Sequence, residues 1–314
     1  MPTFDTPTPI SVRIDVPGGE IVIVASDRTD TVVDVRHDAG DEDAAIEVAY
    51  TDGELVIQAT DLEQEHHSDP FGLSRYLGTA AITAMNPRGW GIDPRSWGIP
   101  GLSRMFGGGC DTTRVHIELP SGSQVRGEVI SGDFRCSGRL GDCRLSTDYG
   151  DIVLETAAVV HLTSDSGEIT VGRATGAAEI TTSSGEVRVN AADGPAAIRN
   201  DDGEIYVGDA GGDLRLTGSH GDMYVKRARA SVEATNVHGS VHLSEVVRGS
   251  VALSSTSGDL TVGIRRGTAA WLDAVTANGT LRNALDAQDT PDSFDETVEI
   301  HARTHDGDIT VNRA

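Results

Sequence analysis

The chain has 314 residues, 37 of them glycine, only 4% aromatic residues, and a formal net charge of −24. That length suits one large or two ordinary domains. The charge excludes unassisted binding to nucleic acid or to an anionic membrane, which needs clusters of Lys and Arg, and it suits a cationic partner or a divalent ion. The opening MPTFDTPTPISVRIDV has neither a basic n-region nor an apolar h-region, and no run reaches the ~18 apolar residues of a spanning helix. Cys110, Cys136 and Cys143 form no CxxC pair. A sparse, odd set predicts reduced thiols in a cytoplasmic protein, with export by a non-classical route left open.

From the N-terminus, period-2 alternation predicts strands over Ile10–Val16, Glu20–Val24, Thr31–Val35, Ala45–Tyr50 and Glu54–Gln58. Val16-Pro17-Gly18-Gly19 and Thr51-Asp52-Gly53 read as tight turns. The spacing is irregular, so residues 1–64 read as the start or the cap of the same stack as residues 112–314.

Residues 65–111 differ in composition from their surroundings. Between 70 and 110 lie four arginines, Arg75, Arg88, Arg95 and Arg104, against one acid, Asp93, a local +3 that leaves −27 for the rest of the chain. Two of the three tryptophans are here, in a repeated Trp-Gly-Ile at Trp90–Ile92 and Trp97–Ile99. The first half predicts a helix: Ser68 or Asp69 caps it, Pro70 takes the first position, Leu73, Tyr76, Leu77, Ala80, Ala81 and Ala84 share a face, and Pro87 ends it. The second half is too rich in Gly and Pro for a regular element. Two readings stand: a segment folded back as a cap, or an arm that docks on a protein partner or a second copy. Apolar runs are usually buried, whereas Trp and Arg are the residues enriched in binding hot spots. The second reading rests on Leu73, Arg75, Tyr76, Leu77, Trp90, Ile92, Trp97, Ile99, Arg104 and Phe106.

Residues 112–314 are repetitive. Gly-Asp/Glu-apolar recurs at Gly132, Gly150, Gly167, Gly185, Gly203, Gly221 and Gly258, with Gly239-Ser240-Val241 filling the gap, at steps of 17 to 19 residues. A second glycine series lies half-way, at Gly141, Gly176, Gly194, Gly212, Gly249 and Gly267. Each half-unit alternates: Val187/Val189, Ile205/Val207 and Met223/Val225 face in on one side, and Ala178/Ile180, Ala196/Ile198 and Leu214/Leu216 on the other. A single such strand buries little; equivalent strands stacked ~4.8 Å apart make two facing apolar walls. Ser, Thr, Asn and Asp crowd the residues before each glycine, and glycine suits the positive φ of a sharp corner. The predicted fold is mostly β: a parallel β-solenoid, or β-helix, with two-strand coils of about 18 residues. A β-sandwich predicts similar strand spacing but not turn chemistry repeated at every second strand. Strands return at Thr297–Arg303 and Asp308–Val311 after a polar loop, Asp286–Asp295.

The opening TFDTPTPISVRIDVPGGEIVIVASDRTDTVVDV, the SGEV/DGEI ladder, Gly267–Asp273 (GTAAWLD) and the closing ARTHDGDITV resemble the bacterial family of β-strand-repeat proteins named putative adhesins, common in actinobacteria. The resemblance covers residues 1–60 and 111–314. It implies a right-handed solenoid-like repeat and a domain of unknown function, and it carries over no catalytic residue.

Asp133, Asp151, Glu168, Glu186, Glu204, Asp222 and Asp259 are predicted to align along one corner of the stack. Stacked carboxylates are Ca²⁺ ligands by type, but the glycine-dense loop of calcium β-rolls is missing, and a solvated acidic edge that blocks lateral pairing is the stronger reading. Asp201 and Asp202, near Asp222 or Glu186, are the weak candidates for a metal or for paired-carboxylate hydrolysis, which in its inverting form needs carboxylates ~6.5–9.5 Å apart. Regular repeats place acids everywhere, so such pairs carry little weight. His220 and His238 fall one coil apart, too few for a metal without a third ligand, and His66-His67 is equally weak. Cys136 and Cys143 fall on inward positions as small core residues. Tyr206 and Tyr224 are predicted to stack as a ladder. Gly107–Gly109 reads as a hinge, and no phosphate loop, GxSxG elbow or HExxH occurs. The chain therefore reads as a non-enzymatic β-solenoid scaffold or protein-interaction module, able to self-assemble and needing no cofactor. The runner-up is a carbohydrate-acting or calcium-binding β-helix.

Overall fold

The computed structural model describes residues 1–36, 45–60, 113–285 and 296–314. Among these, β-strands are the regular element and no helix occurs. The strands in chain order are β1 (Thr3–Asp5), β2 (Ser11–Ser26), β3 (Asp30–Arg36), β4 (Ala45–Thr51), β5 (Glu54–Thr60), β6 (Arg114–Pro120), β7 (Gln124–Tyr149) and β8 (Ile152–Ser166). Shorter ones follow: β9 (Ile169–Ala174), β10 (Ala178–Ser184), β11 (Val187–Ala192), β12 (Ala196–Asp202), β13 (Ile205–Ala210), β14 (Leu214–His220), β15 (Met223–Ala228), β16 (Val232–His238) and β17 (Val241–Val246). The chain ends with β18 (Gly249–Ser257), β19 (Leu260–Ile264), β20 (Thr268–Asn278), β21 (Leu281–Asn283), β22 (Glu296–Asp306) and β23 (Ile309–Arg313).

In the repeat region every strand pairs in parallel with the strand one coil on. Ala178 faces Ala196, which faces Leu214 and then Val232. On the other wall Ile169 faces Val187, Ile205, Met223 and Val241 in turn. The 18-residue coil read from the sequence is thus the hydrogen-bonding register itself. The inward residues of both walls form one continuous core, in which Ile152, Leu162, Ile169, Ile205, Leu216 and Leu243 are at most 1% exposed. Each such side chain contributes roughly 1.5–3 kcal/mol by leaving water. Cys136 and Cys143 are free and buried in this core, as their inward positions predict.

Two features depart from the reading above. The first is at the N-terminal end. Ser11–Ser26 runs as one bent strand through Pro17-Gly18-Gly19, not as two strands joined by a tight turn, and it belongs to the start of the stack and not to its cap. It lies inside the stack, with β7 on one side and β5 and β6 on the other. The cap is antiparallel: β4 closes β5 through a two-residue hairpin at Asp52 and Gly53, β3 pairs with β6, and β1 pairs with β3. Asp52 and Gly53 both have positive φ (53° and 83°), which a tight hairpin of this length demands. Phe4 and Tyr50 meet across the two walls, with ring centroids 5.2 Å apart.

The second departure is at the other end, where sequence order and stack order also differ. β22 lies between β18 and β20, and β23 between β19 and β21. The last coil in sequence is therefore the last but one in space. The predicted helix from Pro70 to Pro87, and all ten interaction residues from Leu73 to Phe106, lie outside the described residues, as do Cys110, His66 and His67.

Candidate interaction surfaces and the corner ladder

Each coil turns from one wall to the other at a glycine. Gly203 has φ 140°, and a Cβ there would sit 2.1 Å from the carbonyl oxygen of Gly185, the equivalent residue one coil earlier. Conformation and close approach therefore both demand glycine. In the half-way series Gly249 and Gly267 also have positive φ, but Gly141, Gly176, Gly194 and Gly212 do not. Gly194 has no positive φ, and a Cβ there would lie 2.5 Å from the Gly176 oxygen, so backbone proximity alone selects it.

Three residues before the corner glycine an inward polar side chain holds the previous coil. Asn200 Nδ2 donates to Gly185 O at 2.8 Å, and Asn236 Nδ2 to Gly221 O at 2.8 Å. Thr147 and Thr304 do the same through their hydroxyls, to Gly132 O and Gly258 O. Asn200 and Asn236 are at most 2% exposed, so these bonds satisfy groups that water does not reach. Three members of this row depart from the pattern: Ser164 Oγ has no hydrogen-bond partner, Thr182 donates to Ser184 O within its own turn, and Gly218 has no side chain. A Cβ there would meet Met223 Cε at 2.7 Å, so a core side chain fills its place.

One residue after the corner glycine stands the acidic column. Its aspartates accept from the backbone N–H one coil on: Asp151 N donates to Asp133 at 2.9 Å, Glu168 N to Asp151 at 2.8 Å, Ser240 N to Asp222 at 2.7 Å and Asp308 N to Asp259 at 2.7 Å. The longer Glu186 turns to Arg188 instead. These carboxylates act as backbone caps that tie coil to coil. Among the described residues no group of three His, Cys, Asp or Glu is placed to hold a metal ion. Of the weak candidates, Asp201 accepts from Arg199 at 2.8 Å, the Asp202 N–H donates to Asn200, and Asp222 is engaged through both oxygens.

Tyr206 and Tyr224 are register neighbours as predicted, but the ring contacts of this row are to Arg188 and His242 and not between the two tyrosines. Arg188, Tyr206, Tyr224 and His242 are in register on one wall. The Arg188 guanidinium lies 5.2 Å from the Tyr206 ring centroid, and Tyr224 and His242 are 6.3 Å apart. The Tyr224 hydroxyl donates to Asp222 Oδ2 at 3.0 Å, and this bond to a carboxylate raises the phenol above its ordinary value. His220 and His238 stack with their rings nearly parallel and centroids 5.0 Å apart. In the core, the Cys143 thiol beside it, together with burial, pushes the Cys136 thiol well above the ordinary range.

On the opposite wall lies a depression of about 750 Å³ that sequence reasoning missed. Small residues, Ala177, Pro195, Ala197 and Ala252, line it together with Glu179, Arg215 and Glu233. His161 is at its edge, 3.9 Å from Asp142 and 3.8 Å from Glu179. Neither His161 Nδ1 nor Asp142 Oδ1 has a hydrogen-bond partner. The signal available in sequence was the run of small residues after Thr175, which does not stand out in a glycine-rich repeat.

No helix among the described residues is long and apolar enough to cross a membrane. No curated protein is significantly similar to the chain. Two solved structures resemble it. One, described as a putative adhesin from Bacteroides fragilis, is 11% identical with a TM-score of 0.32, over 99% of this chain and 95% of that one. The other, described as a putative cell adhesion protein from Clostridium sporogenes, is 8% identical with a TM-score of 0.19, over 100% and 98%. The toastrack DUF4097 family, a domain family of unknown function, matches residues 97–312, the whole run of stacked coils from β6 onward. With its corner glycines and parallel 18-residue register inside that match, the chain belongs to the toastrack DUF4097 family.

Proposed function

We propose that this protein is a non-enzymatic β-solenoid scaffold and protein-interaction module, with the 70–110 insert as its docking or oligomerisation element. The observation that carries the reading is the use of the acidic column. Asp133, Asp151, Asp222 and Asp259 each spend an oxygen on the backbone of the neighbouring coil, so the repeat's most conspicuous chemistry is structural. Tyr206 and Tyr224 are likewise engaged within the chain, through Arg188 and Asp222. That weighs against the carbohydrate-acting and calcium-binding alternatives. The insert, with its local +3 charge on a body of −27, supports the docking role by charge complementarity. The adjacent reduced thiols of Cys136 and Cys143 support a cytoplasmic location, which a disulfide between them in protein from its native host would contradict.

The test compares the full chain with a 70–108 deletion by light scattering and by co-purification from the native host. The expected result is loss of a salt-sensitive assembly or of a specific partner on deletion. An unchanged mass and an unchanged partner set would remove the insert from the account.

A further inference from the structure

The two ends of the stack are finished differently. At the N-terminal end the strand direction reverses, Phe4 and Tyr50 close the gap between the walls, and Asp5, Asp30 and Glu47 supply charge. At the other end β20 pairs only with β22, and β21 only with β23, among the described residues. Among the described residues the outer edge of this eleven-residue strand has no partner. Leu272 and Ala274 continue the rows of Ile300 and Ala302, which are 0% exposed, yet they are themselves only partly buried. On the outward side Trp271 is 68% exposed and Val275 55%, and Leu281 on the other wall is 46% exposed.

Edge strands in soluble proteins are normally blunted by Lys, Pro, a bulge or a covering element. From Thr268 to Asn278 there is no Lys, Arg or Pro, and the one charged residue, Asp273, lies 3.5 Å from His301 and 3.7 Å from Arg303. On a chain of net charge −24 the described strands of this end, Thr268–Asn278 and Leu281–Asn283, carry one acid and one arginine, so two copies meeting through these strands do not set acid against acid.

From the open end we infer that β20 and β21 form a homotypic docking surface, which takes a second copy of this chain end to end. A two-fold axis normal to the walls sets β20 antiparallel to β20. It joins each wall to its own equivalent, so Leu272 and Ala274 enter a core continuous between the copies. An eleven-residue strand is ~36 Å long, and two walls ~10 Å apart with their side chains are ~15–20 Å across. The contact then covers ~500–700 Å² per copy, ~1,000–1,400 Å² in total, which reaches the range of specific interfaces. This goes beyond the docking role of the insert and is tested separately from it; the strands that flank the insert in sequence, β5 and β6, lie at the other end of the stack.

The experiment measures mass by light scattering and maximum dimension by small-angle scattering for three full-length proteins over a concentration series. They are the wild type, the double variant Trp271→Lys/Val275→Lys, and the 70–108 deletion. Both lysines replace exposed side chains, and circular dichroism and melting check that the variant is folded. We expect the wild type to reach twice the mass of one chain. About thirteen rungs at ~4.8 Å make a ~60 Å stack, so the maximum dimension should be ~120 Å. The lysine variant should have the mass of one chain, and the deletion should keep the end-to-end dimer. A wild type that stays monomeric at ~100 µM, a dimer that survives in the lysine variant, or a dimer no longer than one stack overturns the inference. If the deletion alone dissolves the dimer, the insert remains the docking element and the open end does not.

Discussion

At the scale of single residues, the coil is fixed by what glycine lacks and by what short polar side chains reach. Gly53 and Gly203 separate the two demands. Both have positive φ, but a Cβ at Gly53 meets nothing within 4 Å, whereas at Gly203 it meets the Gly185 oxygen. Gly53→Ala should therefore cost about 1–2 kcal/mol of backbone strain, and Gly203→Ala distinctly more, because the coils must also separate. Equilibrium denaturation of both variants checks this, and equal losses would contradict it. Asn200→Ala leaves the Gly185 carbonyl without its side-chain donor in the core and should cost about 1–3 kcal/mol. Tyr224 gives a spectroscopic test of the acidic column. Its bond to Asp222 raises the phenol in the folded state above the ~10 of a free tyrosine. That contribution is fully present below pH ~10 and is lost as pH rises through the folded value. In an ultraviolet titration Asp222→Asn should bring a late tyrosine step down, and Tyr224→Phe should delete it. An identical titration in Asp222→Asn would show that the bond does not form.

At the scale of elements, what the sequence made legible was whatever repeats within one coil. Alternation of apolar residues located both walls, and the glycine-acid-apolar triplets located the corners, because period and position are local properties. The role of the aspartates was not legible. Asp151 as a cap for Glu168 N is visible only once the register is known. The run through Pro17 looked like a turn between two strands because Pro and Gly punctuate most sheets, but here they mark a bend within one strand. Stack order was the largest miss, since nothing local to Thr297–Arg303 says that its neighbours are β18 on one side and β20 on the other. It also yields a prediction. Removing residues 296–314 takes out an interior rung, so β20 and β21 lose the strands they pair with among the described residues, and the core rows of Leu253 and Leu260 become the new end. Limited proteolysis of that truncation should cleave within 268–283, while the coils from 124 to 246 stay resistant. Continued protection of 268–283 would contradict the pairing order.

At the scale of the molecule, the walls form a prism whose surface chemistry mostly points back at itself: Arg173 to Asp193, Arg215 to Glu233, Arg227 to Glu245. Individually such exposed pairs add little stability, and they engage only part of the acidic surface of a body whose net charge is −27 outside residues 70–110. Both ends of the chain are also interleaved. β2 is held between coils that follow it in sequence, and β22 and β23 between coils that precede them. A stack threaded this way answers tension differently from an ordinary solenoid. Pulled by its two ends, an ordinary repeat array peels one coil at a time. Here, once the short β1 is stripped away, the load falls on strands clamped on both sides, and two ladders must shear together before either end can unwind. The protein is built as a strut with its ropes tied inside the knot.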